Sequence, residues 1–207
     1  MVTALQDLAV LECGTRAAVG MCGKLLANLG ARVTKLEPPD GDPSRHEGPF
    51  LGDLPHLEQS GLFVYLNRGK RSVTLDLDTV AGRVAVRRLA AVYDVLIVGG
   101  TREEIERWGL NYDLLADVSP ELICTAITPF GLTGPRRDYA DSEIVVAALS
   151  GVGQYIPGPA ESASDPPVAP PTHLTDFIAR DVSYAPGGGG LPLPSPHSWK
   201  IRRDRFR

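Results

Sequence analysis

The feature that most constrains the fold is an alternation of short apolar runs with segments of helical periodicity. Residues 8–11 form an apolar run typical of a buried strand, and residues 17–29 carry apolar side chains at spacings of three and four, as one face of a helix does. Gly30 ends this helix, and residues 32–37 predict a second strand that ends before Pro38. A strand, a helix and a strand in this order predict parallel strands joined by a right-handed crossover.

The same alternation continues through the middle of the chain. Residues 81–93 have helical periodicity, and residues 95–98 are a continuous apolar strand. Thr101 is the predicted N-cap of a short helix, and a further strand and helix are predicted at 122–127 and 144–151. The order predicts an α/β, Rossmann-like, doubly wound and mainly parallel sheet with helices on both faces. In such sheets ligands bind beyond the carboxyl ends of the strands.

Two segments interrupt this pattern before a last helix begins. Residues 38–60 are rich in proline and predict a long ordered loop, which in a compact domain is usually functional. Residues 157–171 have no periodic apolar face and are interpreted as a connecting loop. Residues 173–179 predict the start of a helix with Thr175 or Asp176 as its N-cap.

The end of the chain has a different composition from the rest. Residues 181–207 contain four consecutive glycines and an arginine-rich end but no apolar periodicity, so we expect a disordered, aberrant tail after a domain of residues 1–180. The whole chain has 21 Lys and Arg against 25 Asp and Glu, a net charge of −4. This balance argues against general binding to nucleic acid or to an anionic membrane.

The remaining composition indicates a cytoplasmic protein without a metal. The three cysteines are scattered and lack CxxC spacing, so neither a disulfide framework nor a zinc site is predicted. No run of about 18 apolar residues and no signal-peptide pattern occurs, so no membrane span is predicted. The four histidines also lack metal-ligand spacing. They are His46, His56, His173 and His197.

A cationic turn between two apolar runs is the strongest candidate for a ligand site. Arg68, Lys70 and Arg71 place three cations within four positions, and Gly69 is free to adopt a positive φ. Asn67 is able to bond the local backbone. Together these residues predict a concave anion site, with phosphate as the expected ligand. The alternative is a solvated surface turn without a ligand.

A nicotinamide or flavin cofactor is a weaker alternative. Gly14, Gly20 and Gly23 follow the first predicted strand, and Glu37 ends the second, where an acid could bind a ribose. The glycines do not make the G-x-G-x-x-G spacing of a pyrophosphate turn, however. Neither a G-x-x-x-x-G-K-[ST] nor a G-x-S-x-G motif occurs. A dehydrogenase is therefore disfavoured.

Several sequence blocks occur in an order and at spacings that are specific for one enzyme family. The blocks are residues 10–12, 25–39, 41–45, 62–77, 106–110, 131–135 and 148–151. In these blocks the chain resembles the N-terminal half of the family III CoA-transferases, which include formyl-CoA and carnitine CoA-transferases and the α-methylacyl-CoA racemases. The resemblance covers about residues 5–180.

The resemblance implies a binding site for coenzyme A. Arg45, Asn67, Arg68, Lys70 and Arg71 would hold the phosphates and adenosine of the carrier, in agreement with the anion site predicted from the residues alone. The Arg-Pro-Gly sequence that the family has after the 95–98 strand is absent. The sequence here is Thr-Arg-Glu, so Arg102 is the candidate substitute for a CoA-contacting arginine.

The resemblance also implies that Asp176 is the catalytic residue. In the family this carboxylate attacks the acyl-CoA thioester to give an acyl-aspartyl anhydride, and the released CoA then forms an aspartyl-CoA thioester. An acceptor carboxylic acid completes the exchange. Ser142 and Glu143 occupy the block where the family's racemases carry a catalytic histidine, so racemase activity is disfavoured.

The chain is shorter than the family pattern. Family members are roughly twice this size, with a second, smaller domain, and they form interlocked homodimers. We therefore expect the single chain to lack that domain and to be incomplete as an enzyme, and we expect the truncation to prevent the family dimer. The alternative to a transferase is a non-catalytic CoA-binding remnant, or a subunit that needs a partner chain.

Overall fold

A computed structural model of the protein describes residues 4–117, 119–140, 142–155, 170–171 and 173–178. Within them, five parallel strands form one sheet with helices packed against it, and the predicted Rossmann-like α/β fold is confirmed. Most of the predicted connecting loop and all of the predicted tail at 181–207 lie outside the described residues.

The sheet is built from strands of four to six residues. In chain order these are β1 (Ala9–Cys13), β2 (Arg32–Glu37), β3 (Arg71–Thr74), β4 (Val95–Gly99) and β5 (Ile123–Ile127). Their spatial order is β3-β2-β1-β4-β5, and all four neighbouring pairs are parallel. Only β3 was not predicted as a strand. It forms an edge of the sheet with all four residues exposed, and its sequence Arg-Ser-Val-Thr contains a single apolar residue, so no apolar pattern marks it as a strand.

Seven α-helices connect or follow the strands. They are α1 (Ala17–Asn28), α2 (Gly61–Asn67), α3 (Val80–Ala90), α4 (Arg102–Trp108), α5 (Tyr112–Ala116), α6 (Glu143–Ser150) and α7 (Val152–Tyr155), as far as the described residues extend. The predicted long loop after β2 contains two 3₁₀ turns, Pro43–His46 and Leu51–Asp53. Helix α2 follows this loop and ends at the cationic turn.

The direction of winding reverses between β1 and β4, the two central strands. The chain adds β2 and β3 on one side of β1 and then returns to place β4 and β5 on the other. Gly14, with φ +133°, follows β1 and lies so close to β4 that a Cβ there would be 2.5 Å from the carbonyl oxygen of Gly99. Beyond this close approach lies the crevice at which ligands bind in doubly wound folds.

Apolar side chains cover both faces of the sheet. On one face a buried cluster joins the central strands to α3 and α4 through residues such as Leu11, Leu96 and Ile105. On the other face Val10 and Ile97 pack against α1. Removal of this apolar area from water is the main favourable contribution to folding.

Helix caps agree with the predictions at α4 but not at the last helical turn. Thr101 caps α4 as predicted, because its hydroxyl accepts from the Glu104 N–H at 3.2 Å and the Glu104 carboxylate accepts from the Thr101 N–H at 2.8 Å. The predicted cap at Thr175 or Asp176 is wrong. Both residues lie inside a helical turn of residues 174–178, in which the Phe177 N–H bonds to the His173 carbonyl.

A network of buried charges lies on the α1 face of the sheet. Glu12 of β1 is fully buried, and its two carboxylate oxygens accept from Lys35 Nζ at 3.0 Å and from Lys70 Nζ at 2.6 Å. Lys35 also pairs with Asp42 at 2.7 Å, and Lys70 donates to the Gly20 carbonyl at 2.7 Å. Two carboxylates and two ammonium groups therefore balance, as buried charges must.

The two buried lysines differ in their pKa. Burial alone would lower the pKa of Lys35, but the carboxylates of Glu12 and Asp42 outweigh it, so this pKa is raised. The pKa of Lys70 is lowered, because burial and the nearby Lys35 outweigh its attraction to Glu12. Each lysine is held in place by its contacts with Glu12.

The packing of this network against α1 predicts a sensitive position at Gly23. A methyl group there would overlap Glu12 Oε2 and come within 3.2 Å of Lys70 Nζ, and both groups are locked in ion pairs. We expect Gly23→Ala to lower the free energy of unfolding by about 1–3 kcal/mol in urea denaturation.

Gly20→Ala is the matched control in the same helix. A Cβ at Gly20 would meet only the Leu66 side chain, at an ordinary contact distance of 3.4 Å. Alanine is the better helix former by about 1 kcal/mol, so we expect Gly20→Ala to be neutral or stabilising. Equal stability of the two variants would contradict the close packing of Glu12 on α1.

Candidate active site

A cavity of about 320 Å³ opens beyond the carboxyl end of β1. The segment after β1, the loop after β2 and the first turns of α2 and α6 contribute to its wall, together with the helical turn at 174–178. The lining residues are Thr15, Arg16, Ala17, Ser44, Glu47, Leu62, Ser142, Glu143, His173 and Asp176. The cavity therefore occupies the edge of the sheet at which the sequence predicted a ligand.

Asp176 contributes a carboxylate to this wall. Its side chain is 13% exposed, and Oδ1 lies 3.3 Å from Arg16 Nη2. Its second oxygen, Oδ2, lies 3.6 Å from His173 Nδ1. The guanidinium holds this mostly buried carboxylate in a fixed orientation, which a nucleophilic carboxylate requires.

Three contacts fasten the helical turn that carries Asp176. The Thr175 N–H donates to Glu143 Oε1 at 2.7 Å, and His173 Nε2 lies 2.8 Å from Glu47 Oε2. Phe177 packs against the apolar cluster of α1 and α2, with its ring 6.5 Å from that of Tyr65 in an edge-on arrangement. The position of Asp176 thus depends on contacts with separate parts of the fold.

Arg45, predicted to bind coenzyme A, makes a fork-like contact with Glu37 at the end of β2. Its Nε and Nη2 atoms donate to the two Glu37 oxygens at 2.7 and 3.0 Å, and its guanidinium lies 3.6 Å from the Phe63 ring centroid. A third nitrogen, Nη1, pairs with the exposed Glu58 at 2.6 Å. Arg45 therefore lies in the loop that lines the cavity, with its charge already paired.

The predicted anion turn is divided by the fold into inward and outward residues. The Lys70 side chain is only 2% exposed, and besides Glu12 it contacts Asn67 Oδ1 at 3.2 Å, so the geometry gives no support to a contact between Lys70 and coenzyme A. The Asn67 amide donates back to the Phe63 carbonyl. Arg68 and Arg71 are exposed and make no ion pair within the described part of the chain.

Arg68 borders a second cleft of about 670 Å³ along α2. Lys24 also borders this cleft, with Nζ 3.0 Å from the centroid of the Tyr65 ring. Arg71 begins β3, level with the middle of β2, so it lies away from the carboxyl edge. The turn is thus not part of the cavity that contains Asp176.

Arg102, the other predicted CoA contact, begins α4 just beyond the carboxyl end of β4. Its guanidinium pairs with Glu106 at 2.7 Å and with Asp138 at 2.8 Å, and these bonds raise its pKa. Arg107 and Trp108 of the same helix contact Asp78, which follows β3. Helix α4 therefore presents cations at the same edge of the sheet as the cavity.

The cysteines do not supply a competing nucleophile. Burial raises the pKa of the Cys13 and Cys22 thiols to about 12 and that of Cys124 to about 11, so all three are protonated near neutral pH.

Among the described residues no group of three or more metal-ligating side chains occurs. In the same part of the chain, the helices are all too short or too polar to cross a membrane.

Comparison with known proteins shows which family has this sequence and fold. The sequence pattern of one family, described as CoA-transferase family III, matches residues 5–180. The chain belongs to this family. It is 38% identical over 170 residues to the succinyl-CoA:(R)-benzylsuccinate CoA-transferase subunit BbsE of Thauera aromatica, a match that covers 82% of this chain and 40% of that protein. Human succinyl-CoA:glutarate CoA-transferase is 31% identical over 190 residues, with 90% and 41% covered.

Solved structures of the family have the same fold. A CAIB/BAIF family protein from Brucella suis superposes with a TM-score of 0.75 at 32% identity, covering 89% of this chain and 48% of that one. Rv3272 from Mycobacterium tuberculosis gives a TM-score of 0.75 at 30% identity, with 88% and 49% covered. The family III chain described here spans about 40% of the length of the curated relatives it matches.

Sequence reasoning missed four residues that surround Asp176. Arg16 and Glu47 lie in loops without a recognisable motif, and Glu143 stands in the block from which a family histidine is absent. His173 lacks metal-ligand spacing. A usable signal was available: each of these loops follows a strand or precedes a helix at the carboxyl edge, where the predicted topology brings charged side chains together.

The Glu37 carboxylate should make the stability of the fold depend on pH. Burial alone would raise its pKa, but hydrogen bonds from Arg45, Ser72 and the Asp42 N–H outweigh it and lower the pKa to about 2. Because this pKa is lower in the folded chain, Glu37 stabilises the fold above pH 5, and the stabilisation is lost as the pH falls toward 2.

We therefore expect Glu37→Gln to lower the free energy of unfolding by roughly 2 kcal/mol at pH 7. The difference from the wild type should shrink as the pH falls from 5 to 2, because the wild-type carboxylate then becomes protonated as well. Urea denaturation across this pH range measures both quantities. A difference that is constant with pH would contradict the charged contact with Arg45.

Proposed function

We propose that the chain transfers coenzyme A between an acyl-CoA donor and a carboxylic acid acceptor, with Asp176 as the nucleophile. The observation that carries this proposal is the Asp176 carboxylate in a cavity at the carboxyl edge of the sheet, 3.3 Å from the Arg16 guanidinium. Family membership supports the class of reaction, and relatives of the chain carry the names of CoA-transferases for different acids.

The proposed reaction proceeds in balanced steps. An oxygen of Asp176 attacks the thioester carbonyl carbon, the carbon–sulfur bond breaks, and CoA leaves as a thiolate with formation of an acyl-aspartyl anhydride. The thiolate then attacks the aspartyl carbonyl carbon and releases the donor acid, which leaves an aspartyl-CoA thioester. The acceptor carboxylate repeats the sequence in reverse. In each step a positive group such as Arg16 stabilises the oxyanion that forms.

We place the phosphates of the carrier along the carboxyl edge of the sheet. Arg102 begins α4 at this edge, and Arg45 lies in the loop that also contributes to the cavity wall. A ligand with several phosphates needs more than one cation within its reach. Arg68 and Arg71 lie farther from that edge and are the alternative contacts for the phosphates, whereas Lys70 is proposed to act in the fold rather than in binding.

A second candidate function is a CoA-binding subunit that needs a partner chain for turnover. Two observations favour it. The chain spans about 40% of the curated relatives, and the relative from Thauera aromatica is itself named as a subunit. This candidate predicts binding of coenzyme A without a covalent intermediate on Asp176 when the chain is alone.

The reaction is tested by trapping the intermediate. The purified chain is incubated with acyl-CoA and hydroxylamine, which converts an activated aspartate into a hydroxamate, and the modified residue is located by peptide mass spectrometry. We expect modification at Asp176 in the wild type and its loss in Asp176→Asn. Asp113→Asn, on the exposed side of α5, is the matched control and should not change it. Absence of the adduct from the wild type would favour the binding subunit.

The binding site is tested with two sets of arginine variants. If the phosphates lie at the carboxyl edge, Arg102→Gln should weaken CoA binding about tenfold and reduce its dependence on salt, as measured by calorimetry. The double variant Arg68→Gln with Arg71→Gln should then bind like the wild type. The exposed Arg32 at the start of β2 provides a further control, as Arg32→Gln. Weaker binding by the double variant alone would instead support the predicted anion turn.

A further inference from the structure

His173 lies between two carboxylates in the wall of the cavity. Its Nε2 is 2.8 Å from Glu47 Oε2, and its Nδ1 is 3.6 Å from Asp176 Oδ2. The side chain is only 20% exposed, so these contacts fix the plane of the ring. The remaining charged groups of the cavity are Arg16, on the other oxygen of Asp176, and Glu143, bonded to the Thr175 N–H.

The backbone at His173 also has an unusual conformation. Its φ of 65° lies in the left-handed region, which costs a residue with a side chain on the order of 1 kcal/mol. The conformation reverses the chain just before the helical turn and directs both His173 and Asp176 into the same cavity. A strained residue that is tied to another element by a hydrogen bond is characteristic of a preorganised site.

We propose that His173 is a positioning residue that orients the Asp176 carboxylate and is itself held by Glu47. This inference rests on the proposed function, because it assigns the orientation a role in the attack of Asp176 on the thioester. Two groups would then define the orientation of the carboxylate: Arg16 at Oδ1 and the imidazole at Oδ2.

The contact at Nε2 decides which atom of His173 faces Asp176. Because Nε2 is bonded to Glu47, the opposite ring nitrogen, Nδ1, faces Asp176 Oδ2 at 3.6 Å. The fixed ring thus limits rotation of the carboxylate, whose other oxygen is held by Arg16. Without the ring, Oδ2 would sample other orientations and attack the thioester less often.

The test compares His173→Ala and His173→Gln with the wild type in the hydroxylamine assay. At saturating acyl-CoA we expect His173→Ala to form the Asp176 adduct 10 to 100 times more slowly, with the half-saturating concentration of acyl-CoA changed less than twofold. His173→Gln keeps an N–H donor for Glu47 and should recover part of the rate. His46→Ala, an exposed histidine without a described partner, is the control.

A residue that serves folding alone would give a different result. It would change the yield of folded protein but leave the rate of adduct formation per folded molecule as in the wild type. Wild-type rates per folded molecule in both His173 variants would overturn the inference.

A second measurement does not depend on turnover. Glu47→Ala should lower the urea midpoint of the wild type but not that of His173→Ala, because the contact that it removes is already absent there. Equal effects in the two backgrounds would overturn the proposed tether. A wild type that shows this coupling but forms no adduct would contradict the proposed function and leave the contact between His173 and Glu47 supported.

Discussion

The ion pairs of Glu12 with Lys35 and Lys70 are the interaction on which the rest of the domain depends. They join β1 to β2 and to the segment that leads into β3, on the face covered by α1. A carboxylate without a cation could not be buried at this depth, and neither lysine could replace the other, because each contacts a different oxygen. The edge strand β3, which has no apolar run of its own, is attached to the sheet partly by this contact.

The same network sets the position of the candidate site. Glu12 is followed directly by the residues that lead to Thr15 and Arg16, and Lys35 holds Asp42 at the start of the 3₁₀ turn that precedes Glu47. The two segments that form these walls of the cavity therefore begin at residues of the buried charge network. The helical turn with Asp176 is then added through Glu47 and Glu143. One arrangement of buried charges thus stabilises the sheet and positions the walls of the cavity.

Much of the fold could be predicted from the sequence, because periodicity records which side of an element is buried. β2 was predicted at its observed residues, and the cap of α4 followed from Thr101. The apolar run before the cationic turn did not predict a helix or a strand, because so short a run is compatible with either. In the structure it forms α2. The helical turn at 174–178 begins earlier than its polar residues suggested, because a tertiary contact from Glu143 replaces the side-chain cap.

The candidate site was predictable only in part, because its contacts join residues that are far apart in the sequence. Asp176 was identified from a family resemblance, and the structure places it among charged residues that no local motif connects. Arg68, Lys70 and Arg71 are alike in the sequence, yet only Lys70 points inward, toward a glutamate 58 positions earlier in the chain. Pairings at this separation are set by topology and not by spacing along the chain.

The burial of Lys35 and Lys70 also determines what kind of cation the surface offers. Of the three lysines among the described residues only Lys24 reaches solvent, so the exposed positive charge belongs almost entirely to arginine. A guanidinium keeps its charge at any physiological pH, is weakly hydrated and forms paired bonds to phosphate. The positive charge that this surface offers to phosphate groups is therefore less dependent on pH than that of an amine. Reagents that modify lysine would leave most of this charge intact.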